Sequence, residues 1–114
     1  MVAISEQDAN SLLRKWHEEN APVFVAYAAQ LKQRVLAGSL HRTAIKWVAD
    51  GTICFAGSGA TLLLSCENAA FGYVERRDLP PDSAWPQAEK YESCIRAVTT
   101  AGWDIWICEL NGQA

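Results

Sequence analysis

Long apolar runs, closely paired cysteines and a surplus of basic charge are all missing from this chain. The longest apolar stretch, Ala21 to Ala29, is too short to cross a bilayer and contains Pro22, so no membrane-spanning segment is expected. Residues Met1 to Asp8 carry neither a basic n-region nor an apolar h-region, which predicts no secretory signal and a cytoplasmic home. Ten basic residues face thirteen acidic ones, for a net charge of -3. That balance lacks the electrostatic footprint of a nucleic-acid or anionic-membrane binder. There is no C-x-x-C, and neither His17 nor His41 lies near a cysteine at ligand spacing, so no metal site is predicted. Gly57-Ser58-Gly59 is not followed by the Lys-Ser/Thr of a phosphate loop and reads as a glycine turn between strands; no cofactor is expected.

What is present describes one domain spanning 1–114, with 50% apolar and 20% charged residues, a globular balance. Five tryptophans are generous for this length and suggest that part of the aromatic surface serves a partner. The predicted class is α+β: an N-terminal amphipathic helix followed by an antiparallel β-meander curling into a small open barrel.

The helix is placed at about residues 5–20. Ser5 with Asp8 three residues on gives a start like a capping box. Ala9, Leu12, Leu13 and Trp16 then form one apolar stripe, and Asn20-Ala21-Pro22 ends the helix. The meander covers about 23–75. Residues 22–38 fit either a helix or a strand; strand is favoured for Val23–Ala29, with a turn near Gln30–Gln33 and a new strand from Arg34. Asp50-Gly51 between two β-prone runs is a tight hairpin signal. It pairs Ala49 with Thr52, Val48 with Ile53, Trp47 with Cys54 and Lys46 with Phe55. One face then carries Ile45, Trp47, Cys54 and Ala56, the other Val48, Ile53 and Phe55. Both are apolar, so something must cover each, whether the helix, the curled sheet or a second subunit. Gly57-Ser58-Gly59 leads to a third strand, Ala60–Cys66, and Phe71–Glu75 is expected to continue the meander.

Three of the four prolines fall in a long irregular loop at 76–88. Loops of that length are often functional. A C-terminal hairpin at 91–110 closes the chain. If Thr100-Ala101-Gly102 is its three-residue loop, Thr99 faces Trp103, Arg96 faces Trp106 with a guanidinium-over-indole contact, and Cys94 faces Cys108. A two-residue loop would instead set Ile95 opposite Cys108. In a reducing compartment all four cysteines are expected as thiols.

Four residues are the candidate binding set. Arg76 and Arg77 could clamp a phosphate or carboxylate, although local ion pairs with Glu75 and Asp78 on a solvated loop are the cheaper account. Tyr73 is the nearby aromatic, and Trp85, on the proline-rich loop, suits docking against another surface. Cys66, at a strand end, is the least buried thiol expected, but no histidine base is visible beside it.

The order of a helix and a sharply bent antiparallel meander resembles the Sm-like small-barrel topology. The segment Ala70-Phe71-Gly72-Tyr73-Val74-Glu75-Arg76-Arg77-Asp78-Leu79-Pro80 is similar to a strand-to-loop passage in small uncharacterised bacterial proteins. These resemblances imply a small barrel and carry over no site residue. Three functions follow for testing: a non-enzymatic interaction module that is a homo-oligomer or binds a protein partner, a small-ligand or RNA-binding Sm-like barrel, and a cysteine-dependent enzyme.

Overall fold

The computed structural model describes residues 2–31, 34–49, 51–57, 59–75 and 91–110. They form β1 (Val2–Ile4), α1 (Glu6–Glu18), β2 (Pro22–Leu31), β3 (Arg34–Ala49), β4 (Thr52–Gly57), β5 (Ala60–Ser65), β6 (Ala70–Glu75), β7 (Tyr91–Val98) and β8 (Trp103–Leu110). All eight strands join one antiparallel sheet in the order β1-β6-β7-β8-β2-β3-β4-β5. The class is α+β. The sheet stays open, with β1 and β5 at its two ends.

Both ends of α1 are fixed by local chemistry. The Ser5 hydroxyl accepts a hydrogen bond from the Asp8 backbone N–H at 3.0 Å, filling one of the orphan donors of the first turn. At the other end Asn20 takes a left-handed φ of 52°. Its N–H donates to the His17 carbonyl, and that of Ala21 to the Trp16 carbonyl. Those two bonds are the Schellman pattern, with asparagine where glycine is commonest. The stripe read from the sequence is buried: Ala9, Leu13 and Trp16 are at most 1% exposed.

That stripe enters the larger of two cores, which includes Val23, Val25, Ile45, Ile53, Phe55, Ile95, Ile105 and Ile107. α1 packs against β3 and β6, so it rests on strands from both halves of the sheet. The opposite side of the sheet holds a smaller core of Phe24, Val74, Cys94, Cys108 and Leu110, flanked by Ala26 and Trp106. β2 and β8 thus feed apolar side chains to both sides, as the period of two requires.

The Asp50-Gly51 hairpin forms with Gly51 at φ 78°, and its first three pairs match the expected register. The fourth does not. A bulge falls between Ile45 and Trp47, so Phe55 faces Ile45, and Lys46 has no partner. One extra residue flips Ile45 from the Trp47 side into the core, where it is 3% exposed, and leaves Lys46 exposed. His17 exploits the distortion. Its Nδ1 lies 2.7 Å from the Ile45 carbonyl oxygen, which can only accept, so Nδ1 carries the proton and donates.

Two further expectations are corrected. Phe71–Glu75 does not continue the meander. After β5 the chain turns through Asn68 (φ 58°), and β6 pairs with β1 and β7 at the far side of the sheet. Cys94 and Cys108 are not thiols; they face each other in register and form a disulfide, with Cα atoms 4.1 Å apart. The register is the one the three-residue loop dictates: Gly102 has φ 96°, and the Thr99 N–H donates to the Trp103 carbonyl at 2.9 Å. Arg96 sits 5.1 Å from the Trp106 ring, as expected, and also makes a two-pronged ion pair with Asp104.

Candidate binding cleft and open sheet edge

A cleft of about 490 Å³ opens among the described residues. It is built from parts far apart in the chain. β2 gives Tyr27, β8 gives Trp103 and Ile105, β5 gives Leu62 to Ser65, and two turns add Glu67, Asn68 and Thr99 to Ala101. β5 and β8 lie four places apart in the sheet, a distance of about 19 Å if the sheet were flat. Sharing one cleft requires the sheet to curve, which brings the end strand round towards the β7–β8 turn.

The walls are apolar and the rim is polar. Tyr27 and Trp103 meet with ring centroids 6.1 Å apart at 52°, a tilted pair. Tyr27 is held flat by its cross-strand neighbour, Gly38. A Cβ at position 38 would run into the Tyr27 ring, 2.6 Å from Cζ, so glycine there sets the position of that wall. The Thr99 hydroxyl accepts from the Trp103 N–H at 3.0 Å and steadies the turn beside the cleft. Among the described lining residues Glu67 is the one carboxylate, and none is basic. Apolar walls with a few convergent polar groups are the usual make-up of a small-ligand site.

The second feature is the outer side of β3–β5. Trp47, Cys54 and Leu63 form one cross-strand row. Cys54 is buried, but Trp47 is 40% exposed and Leu63 58%. The row ends at β5, whose other edge pairs with no described strand.

The residues singled out from the sequence are not assembled. Tyr73 is half-buried on β6, opposite Val2 and Ile95, and does not line the cleft. Arg76, Arg77 and Trp85, with the whole proline-rich loop, lie outside the described residues. Cys66, expected to be the least buried thiol, is 1% exposed within the larger core. Burial pushes its thiol up to about 11. At neutral pH it is protonated and unsuited to attack. No group of three or more His, Cys, Asp or Glu that could hold a metal ion occurs among the described residues. Nor is any described helix long and apolar enough to cross a membrane.

The cleft escaped the sequence reading because no local motif encodes it. The one usable signal was aromatic spacing on β2 and β8, which needs the β2–β8 pairing to interpret. No protein-family model, curated protein or solved structure matches this chain.

Proposed function

We propose that this protein is a non-enzymatic interaction module that associates with a second copy of itself. The observation that carries the reading is the apolar row on the outer side of β3–β5, with Trp47 and Leu63 open to solvent and its Leu63 end on a strand whose outer edge pairs with no described strand. Scattered exposed hydrophobes are ordinary on a protein surface. A tryptophan and a leucine aligned in one cross-strand row, with a buried cysteine between them, make a patch, and patches mark contact surfaces.

Sedimentation velocity across the micromolar range tests this. The expected result is a concentration-dependent shift from monomer towards dimer. A strict monomer at the highest soluble concentration overturns the proposal. A cytoplasmic setting belongs to the same proposal.

A second reading, a small-ligand site in a barrel-like domain, is favoured by the cleft. Its aromatic pair and lack of basic lining residues suit a neutral or cationic apolar molecule over a nucleotide. Quenching of tryptophan fluorescence by small aromatic amines, absent with aromatic carboxylates, is the outcome expected of it.

A further inference from the structure

We propose that two copies join through β5, strand against strand, about a two-fold axis at Leu63; this rests on the self-association reading and sets the Leu63 ends of the two apolar rows side by side. Edge strands invite pairing, and proteins normally blunt them with charge, proline, bulges or shortness. β5 has none of these. Ala60-Thr61-Leu62-Leu63-Leu64-Ser65 carries no charge and no proline, and its six pairs with β4 run without a bulge. The competing edges are guarded. β1 is three residues long, and the stretch of β3 that pairs with no residue of β4 carries the exposed charge of Arg42.

The backbone selects the register. The Cys66 N–H donates to the Gly51 carbonyl at 2.6 Å, so even-numbered residues bond inwards to β4. Alternation along an antiparallel ladder turns the N–H and C=O groups of Thr61, Leu63 and Ser65 outwards. Strands that keep matching faces must pair odd with odd. Leu63 then meets Leu63 of the second copy, Thr61 meets Ser65, and Leu62 meets Leu64 on the concave side. Each pair is apolar with apolar or hydroxyl with hydroxyl, and no like charges oppose. A two-fold contact demands this self-complementarity, and it is what makes a second copy the occupant. A six-residue ladder is small beside the about 1,600 Å² of a standard interface, so the dimer is expected to be weak and concentration-dependent.

Three variants test the assignment. Leu63→Pro removes an outward N–H while sparing the β4 ladder, and is expected to weaken the dimer about tenfold or more. Leu63→Lys, at an exposed position, does the same by charge repulsion and does not rely on tolerating proline. Leu63→Cys is expected to crosslink copy to copy with a short bis-maleimide, whereas Thr61→Cys alone does not and Thr61→Cys mixed with Ser65→Cys does. A dimer that survives both Leu63→Pro and Leu63→Lys, or one that Leu63→Cys fails to crosslink, overturns the β5 assignment while self-association stands. A strict monomer removes both.

Discussion

Trp16 is the residue on which α1 most depends, and its removal offers the most decisive measurement of how the helix is held. The indole is 1% exposed in the larger core, on a helix that rests on both β3 and β6. A buried tryptophan hides roughly 200 Å² of surface, most of it apolar, and alanine restores only a fraction of that. At about 25 cal/mol per Å² the transfer loss is about 3 kcal/mol. The residual cavity adds to it, which places Trp16→Ala near the 3–5 kcal/mol typical of buried aromatic truncations. Against a total stability of roughly 5–15 kcal/mol, such a loss removes about a fifth of the margin or more. Urea titration followed by far-UV circular dichroism reads it directly, as a lower midpoint with unchanged slope. Arg14→Lys, at an exposed site of the same helix, is the control and is expected to stay within about 0.5 kcal/mol. A Trp16→Ala loss below about 1 kcal/mol would refute the reasoning, because α1 would then be resting on the sheet without being part of its core.

Three other outcomes are expected. Glu109 has its carboxyl pushed up, first by burial and then by Glu19 and Glu92, with Lys15 opposing; the fold therefore gains stability as pH falls through that raised value, and Glu109→Gln is expected to raise the melting temperature at pH 7 but not at pH 4. The Cys66 thiol, pushed up to about 11, holds its proton longer in the fold than in the open chain; stability falls between about pH 9 and pH 11, by at most about 3 kcal/mol, and a Cys66→Ala variant should lack that component of the alkaline slope. Gly38→Ala displaces the Tyr27 ring, and is expected to destabilise by about 1–3 kcal/mol and to change the near-ultraviolet dichroism of the Tyr27–Trp103 pair; an unaltered spectrum would show that the ring is not held by that glycine.

Features within one hairpin or one helix were legible in the sequence, and features joining distant segments were not. Ser5, the apolar stripe and Asn20 fixed α1 by themselves. The three-residue loop at Thr100–Gly102 dictated the register through to Cys94 and Cys108, and with it the Arg96–Trp106 contact. The thiol expectation failed because it was argued from compartment, while the geometry brought the two sulfurs together. The bulge at Lys46 was hidden because both faces of the ribbon are apolar, so the period of two could not choose between registers. The jump from β5 to β6 and the pairing of β2 with β8 are invisible locally, since Val23 and Glu109 have no signal linking them. The cleft inherits that blindness, being made of β2, β5 and β8 together.

The pairing of β2 also governs when the molecule can be completed. β2 finds β3 as its neighbour in sequence, but its opposite border waits for Trp103–Leu110, after every other strand of the sheet. Until then Phe24 on one side and Val23 and Val25 on the other lack the strand that finishes both cores. Both cores therefore depend on one long-range pairing, and loosening β8 from β2 opens the two sides of the sheet together.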